Sequence, residues 1–276
     1  MKIQDIINRI IAYHPPFKGE SSTDVVKYGN PDQECTGIVV TCFASANVIR
    51  EAIRLGANFI IVHEPLFWSH EENINDISQS RILHAKMQLL DQGGIVVWRD
   101  HDHMHGQSRG SDRKNLDGMF DGIMRELRWE PYLLDSDLKP LTFKMPPTDA
   151  TVLGRQLKEN IGLNGIRIIG DPHTKVSKVF ICEHIGSNDR FAADKILRTE
   201  LEEFDALIPL EVIDWTLCAF VRDCCQLGTP KVIYNIGHFN FEELGMCYMA
   251  KYLPGLLNGS VPVHYVQSGD AFDFIL

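Results

Sequence analysis

Residues 37–62 read GIVVTCFASANVIREAIRLGANFIIV, and this stretch decides the fold. Its first part, 37–42, is a short β-rich apolar run, and 46–55 is helix-like. Gly56 closes that helix, and 58–62 opens a second apolar run. Outward from there the rhythm continues: a helix near 78–90, then Gly93-Gly94, then the run Ile95-Val96-Val97-Trp98. Continuous apolar strands separated by helices predict a mostly parallel sheet covered on both faces. Upstream, Ile3, Ile6, Ile7, Ile10 and Ile11 mark one face of an amphipathic helix that ends near Pro15-Pro16.

A second βα series follows Pro146-Pro147. It comprises a helix near 150–161, strands near 167–169 and 178–182, a helix near 189–199 and an apolar run at 206–213. A helix near 215–225, a strand at 231–236, a helix near 241–252 and a strand at 261–266 complete it. The proline-bearing stretch 135–147 is the natural boundary. The expected architecture is therefore α/β, with two lobes built on mostly parallel mixed sheets, 1–140 and 141–276.

Composition narrows the function. The 276 residues carry 27 Lys+Arg against 37 Asp+Glu, a formal charge of −10. That balance disfavours a nucleic-acid partner, which would need a basic face to neutralise phosphates. The apolar runs are far shorter than the ~20 residues of a membrane span, and the N-terminus lacks a signal-peptide cleavage site. The 7 cysteines are scattered, with no CxxC pair, which fits free thiols in a reducing cytoplasm. A phosphate loop, a dinucleotide-binding GxGxxG after a strand and a GxSxG elbow are all missing from the sequence.

Chemistry concentrates at three strand ends, where open α/β sheets gather their sites. His63-Glu64-Pro65 follows the run 59–62. Arg99-Asp100-His101-Asp102-His103-Met104-His105 follows 95–98. Gly237-His238-Phe239-Asn240-Phe241-Glu242 follows 232–236. Mixed histidines and carboxylates suit divalent Zn, Mn, Fe or Ni, and the lack of a Cys cluster disfavours a structural Cys site. His238 precedes an expected helix whose first turn would carry Glu242. A carboxylate shared by two ions would hold them ~3.5–4 Å apart, and Glu242 is the natural candidate. Taken singly, each of these residues also reads as an ordinary polar strand end, and 101–105 as a solvated loop. His14, His70, His84, His173 and His264 read as structural, and His184 is a lesser candidate because it follows a strand.

Two segments resemble a known family. Glu51-Ala52-Ile53, then Gly56-Ala57-Asn58-Phe59-Ile60-Ile61-Val62-His63-Glu64-Pro65-Leu66-Phe67, is similar to its EAI…GA(D/N)-LII-x-HHPL signature. Gly237-His238, Glu242 and Gly245 match its GH-xxx-E-xx-G signature. The chain is thereby identified as a divergent member of the NIF-three-like family of dinuclear metal proteins, which carries the name GTP cyclohydrolase 1 type 2 homologue. The resemblance implies two metal ions per subunit, two α/β lobes and a hexameric ring.

It also implies ligands. His63 and His238 would hold one ion, Glu64 and His105 the other, and Glu242 would bridge them. Glu64 stands where the family has a second histidine, and His105 stands where its HTxxD motif has an aspartate. The two changes keep ligand number and charge. His101 matches that motif's first histidine and is the acid–base or outer-layer candidate, while Asp102 and His103 lack a clear counterpart. The early DN-x-G-L segment is not visible in 21–29, and the acidic residue of the first βα turn is replaced around Cys42-Phe43. Glu211 falls near a second-lobe acidic position.

The leading expectation is a cytoplasmic, homo-oligomeric, metal-dependent hydrolase acting on a small, nucleotide-like or heterocyclic substrate, with His101 moving a proton. The alternative is a non-catalytic metal-binding scaffold or metallochaperone, a ring that binds partner proteins. A plain structural α/β protein is the third reading.

Overall fold

The protein was analysed as a computed structural model. It describes residues 1–14, 19, 21–69, 73–106, 117–134, 141–182 and 189–275, the side chains of 189–192 aside. His70 and His184 lie outside these. The chain divides into two compact units: 1–123 with 242–268, and 124–241 with 269–276. The first break falls inside a helix, whereas the sequence suggested 140/141.

The first unit begins with α1 (Ile3–Tyr13) and β1 (Val26–Tyr28). The expected strand–helix series follows as β2 (Ile38–Thr41), α2 (Ala46–Leu55), β3 (Phe59–Val62), α3 (Arg81–Gly93) and β4 (Val96–Arg99). Local chemistry sets both ends of α2. Ser45 Oγ accepts the Val48 amide at the start of α2, and Gly56 closes it at φ +70, a conformation suited to glycine. The sheet order is β1-β4-β3-β2-β10, where β10 is Val263–Tyr265. Strands β4, β3, β2 and β10 are parallel, and β1 adds antiparallel to β4. All residues of β2, β3 and β4 are buried, as a sheet covered on both faces requires. On one face Val39, Ile60, Val62 and Val97 pack with Ile49, Ala52, Leu83 and Leu90 from α2 and α3. That stacking fixes the carboxyl ends of β3 and β4.

The second unit repeats the plan. It contains β5 (Thr142–Asp149), α5 (Ala150–Ile161), β6 (Arg167–Gly170), β7 (Lys175–Ile181), α6 (Asp189–Leu201), β8 (Ala206–Ile208), α7 (Leu217–Gln226) and β9 (Val232–Asn235). Its order is β5-β7-β8-β9-β6, with β7, β8 and β9 parallel and both edges antiparallel. Phe180, Leu207 and Ile233 pack with Leu217 and Val221 of α7. The stretch around Pro146-Pro147, expected as a boundary, is instead part of edge strand β5. The prolines fall in the irregularity between Lys144 and Thr148, where a missing N–H is tolerated.

Two further helices were placed imperfectly by periodicity. α4 (Gly118–Leu127) was not foreseen. α8 (His238–Leu256) starts three residues earlier than expected, so His238 is its first residue and Glu242 lies one turn further on. Its Gly245 sits against α4: an added Cβ would lie 3.0 Å from the Met119 carbonyl oxygen, and one on Gly122 would lie 3.0 Å from Gly245 Cα. The last glycine of the GH-xxx-E-xx-G pattern is therefore a packing requirement. With eight helices and two mixed sheets among the described residues, the α/β expectation is met.

Candidate metal centre

The sharp turn after β3 places His63 and Glu64. Both backbone amides donate to the Cys42 carbonyl at the end of β2, at 3.0 and 2.8 Å. His63 is fully buried. Its Nδ1 lies 3.0 Å from the Asp100 carbonyl oxygen, so Nδ1 carries the proton and Nε2 keeps its lone pair. That buried Nε2 has no hydrogen-bond partner among the described residues. It faces the Glu242 carboxylate, with Oε2 3.6 Å away.

The loop after β4 supplies two more imidazoles, each anchored in the same way. His101 Nδ1 is 2.9 Å from Asp102 Oδ1, and His105 Nδ1 is 2.8 Å from Asp117 Oδ2. The other Asp117 oxygen accepts the amides of Met119 and Phe120, capping α4. One carboxylate thus starts a helix and orients a histidine. The three rings form a near-equilateral group, with centroids 4.6 Å apart for His63–His101, 5.0 Å for His63–His105 and 4.8 Å for His101–His105. His105 Nε2 also lies 4.0 Å from Glu242 Oε1. His63, His101 and His105 can hold a metal ion together, with candidate ligand atoms within 4.8 Å of one another.

Electrostatics keep two of these rings uncharged. Burial, reinforced by His105 and His101, holds the His63 imidazole well below its ordinary pKa, and the same causes lower His101. Both rings are therefore neutral at physiological pH. Burial pushes Asp102 upward, but bonds from the Thr23 amide, His101 and the Ser22 hydroxyl outweigh it and bring the carboxyl down to about 2. Arg99, fully buried at the end of β4, donates Nε to the His63 carbonyl at 2.9 Å. Its Nη2 stands 3.9 Å from Glu64.

A second row of residues holds the loop. Asp24 accepts the amides of His101, Asp102 and His103 at 2.7, 2.8 and 2.8 Å, and its Oδ2 lies 2.6 Å from His103 Nδ1. Asp102 answers by accepting from Ser22 and Thr23. The segment 21–29, read as lacking the family's early motif, is thus what clasps the histidine loop. Asp100 Oδ2 lies 3.0 Å from His14 Nε2, giving His14 a buried role. In the second unit, His238 Nδ1 is 2.6 Å from Glu211 Oε1, the same carboxylate-on-histidine arrangement.

Of the expected ligands, His63, His105 and Glu242 meet, and His101 joins them. Glu64 is beside Arg99, and His238 is one turn before Glu242 on α8. Asp24 and Asp117 were missed, because single aspartates away from the histidine run carry no periodic signal. His103 faces Asp24.

A two-unit α/β protein with a buried histidine–carboxylate cluster at its strand ends is a narrow class. Residues 1–269 match the family model Duf34/NIF3 (NGG1p interacting factor 3), and the chain belongs to that family. It is 24% identical over the full length of both chains to a GTP cyclohydrolase 1 type 2 homolog of Clostridium perfringens. A Lactococcus lactis protein of the same name is 25% identical, over 66% of this chain and 69% of that one. Among solved structures, Staphylococcus aureus protein SA1388 has the same fold, with TM-score 0.70, 15% identity, and 100% and 99% of the two chains covered. Reduced HcgD from Methanocaldococcus jannaschii gives TM-score 0.64 at 16% identity, over 99% and 98%.

Proposed function

We propose that the protein is a metal-dependent hydrolase with a dinuclear divalent-metal centre, acting on a small, nucleotide-like or heterocyclic substrate. One observation carries this reading: the fully buried His63 Nε2, with its lone pair facing a buried carboxylate and two further imidazoles. A buried polar atom left so costs ~1–3 kcal/mol, and a cation between these donors removes that cost. The donor set fits. His63, His101, His105 and Glu242 would hold one ion, and Glu64 and His238, the further ligands that the family resemblance gives, would hold a second. A divalent ion there supplies Lewis acidity and makes water a better nucleophile near neutral pH.

The protein's own residues do the rest. Asp102 and Asp117, with the Asp100 carbonyl, fix the three tautomers. The buried Arg99 guanidinium offsets negative charge at Glu64. The neutral imidazoles accept protons reluctantly, which keeps their lone pairs available. Assembly into a homohexameric ring and a cytoplasmic setting belong to the same proposal. Among the described residues no helix is long and apolar enough to cross a membrane. The scaffold or metallochaperone reading shares the metal site and differs only in turnover.

The test is metal content by plasma mass spectrometry on untagged protein, beside Glu242→Ala and His238→Ala. About two ions per subunit are expected of a two-metal site, with both lost in Glu242→Ala and one in His238→Ala. A chelator-controlled screen of phosphoester, amide and heterocycle hydrolysis follows. Turnover that survives full chelation would sink the hydrolase reading. Tight metal binding with no turnover on any compound would transfer the protein to the scaffold class.

A further inference from the structure

The family resemblance gives His101 a proton-moving role and pairs His63 with His238. The geometry of the first unit groups the residues differently. The three rings stand within 5.0 Å of one another by centroid, and each Nδ1 is occupied by an oxygen from a different place: the Asp100 backbone, the Asp102 side chain and the Asp117 side chain. Such anchoring selects the tautomer in which Nε2 carries the lone pair, the usual arrangement of a metal-bound histidine. The Asp102 contact occupies Nδ1 of His101, so Nε2 is the nitrogen that would meet an ion. The candidate ligand atoms of the three rings lie within 4.8 Å of one another, close enough to share one cation.

We infer that His63, His101 and His105 bind a single ion together, making His101 a ligand, and that this position selects nitrogen-preferring ions (Zn, Co, Ni, Cu) over oxygen-preferring ones (Mn, Mg). The inference rests on the metal-centre reading and adds an asymmetry to it. Imidazole suits the first set, carboxylate and water the second. The residue that makes the difference is His105. A carboxylate there would give this ion two nitrogens and extra negative charge; the imidazole gives it three nitrogens and leaves Glu242 as the anionic donor. The neighbouring carboxylate Glu64, beside Arg99, gives the other position more oxygen character.

The full chain, stripped by chelation and loaded with one equivalent of Cu(II), reports its imidazoles through pulsed electron paramagnetic resonance, which counts coordinated rings by their remote nitrogens. Wild type is expected to show three, and His101→Gln and His105→Asp two each. His103→Gln, which removes a ring bonded to Asp24, is expected to leave the count at three. In competition between Co(II) and Mn(II), His105→Asp is expected to lower the cobalt preference by about 10-fold or more. Circular dichroism establishes that each variant is folded. Should His101→Gln fail to fold, Cu(II) loaded on wild type still counts the rings.

A count of three that persists in folded His101→Gln overturns its ligand role, as does a wild-type count of two. An unchanged cobalt-to-manganese ratio in His105→Asp overturns the selectivity. Wild-type protein that takes up neither Cu(II) nor Co(II) overturns the metal centre itself, an outcome distinct from tight binding with the wrong count.

Discussion

The two sheets are built alike and furnished differently. Each has a run of three parallel strands joined in the chain by helices, β2-β3-β4 in one and β7-β8-β9 in the other; the first adds antiparallel β1 at one edge and parallel β10 at the other, the second an antiparallel strand at each edge. At the described carboxyl ends of the first sheet stand three histidines, each with Nδ1 tied to an oxygen. At those of the second stand Glu211 after β8 and His238 after β9, bonded to each other at 2.6 Å. Glu211 is 43% exposed, whereas Glu242 and His63 are fully buried. The same scaffold thus carries a triply anchored cluster around the fully buried His63 in one sheet and a single, more exposed pair in the other. The fold sets where residues can converge, and burial decides how much each is worth.

If that contrast is correct, emptying the first cluster costs far more than disturbing the pair. His63→Ala removes a fully buried donor, and Co(II) affinity measured by calorimetry is expected to fall more than about 100-fold. Glu211→Ala removes only an orienting partner of His238, an effect of about 10-fold. Equal losses in the two variants would erase the distinction between the sheets. Metal saturation sharpens it further. At 100 times the dissociation constant, a single ion should raise unfolding free energy by about 2.7 kcal/mol, and His63→Ala should abolish that gain in a thermal melt.

Asp24 comes next in size. Its carboxylate takes three backbone amides of the histidine loop, at 2.7 to 2.8 Å, and neutralising it weakens bonds to an ion's own scaffold rather than to the ion. Asp24→Asn is expected to reduce metal affinity between about 10- and 100-fold with the coordinated nitrogens unchanged in number. A drop in the number of nitrogens would make Asp24 more than a positioning residue. Full affinity in Asp24→Asn would mean that the loop needs no clasp.

Protons offer a third way to separate the sheets. Burial lowers the pKa of His63 and His101 in the folded state below the unfolded value of ~6.5. The metal-free folded state then resists protonation while the unfolded chain accepts it. The stability contributed by these neutral rings is complete above pH ~6.5 and is lost as pH falls from there toward the folded pKa values. Chemical denaturation of metal-free protein between pH 7.5 and 5 should show this decline, and it should be smaller in His63→Leu, which has no ring to titrate. A flat profile in wild type would contradict the buried, neutral cluster.

Much of this was legible in the sequence, for identifiable reasons. Both β-rich runs in 37–62 and the helix between them declare themselves through continuous apolar character and Gly56, and α2 falls at Ala46–Leu55 as its pattern specifies. His63, His105 and Glu242 were named because all three follow strand ends and because short family motifs bear on each of them. The clasp was not found, since Asp24 reaches residues 77 to 79 positions away and nothing local announces such a contact. β5 was read as a boundary because its prolines dominate the local signal, although an edge strand tolerates them. The proton-moving role of His101 came from the resemblance, and its nearness to His63 and His105 is carried by ring-to-ring distances that no local sequence pattern encodes.

Gly245 shows where motif and packing coincide, and it gives the smallest expected effect. α8 must approach α4 closely enough to bring Glu242 to the histidines, and the approach is made at Gly122 and Gly245. A methyl group on Gly245 would meet Met119, where the sulfur can turn aside but the carbonyl oxygen, 3.0 Å away, cannot. Overpacking of this kind costs ~1–3 kcal/mol. Alanine also gains ~1 kcal/mol of helix propensity over glycine, so Gly245→Ala should lose at most about 2 kcal/mol net, a few degrees in the melt of a protein this size. The informative quantity is the accompanying change in metal affinity. A small shift of α8 moves Glu242 and leaves the three imidazoles in place, so Co(II) should bind about 10-fold more weakly with an unchanged nitrogen count. Stability lost without any loss of affinity would mean that Gly245 serves only the core. Affinity lost together with the nitrogen count would mean that α8 also sets the loop, and the anchoring of the rings by Asp102 and Asp117 would no longer suffice to explain the site.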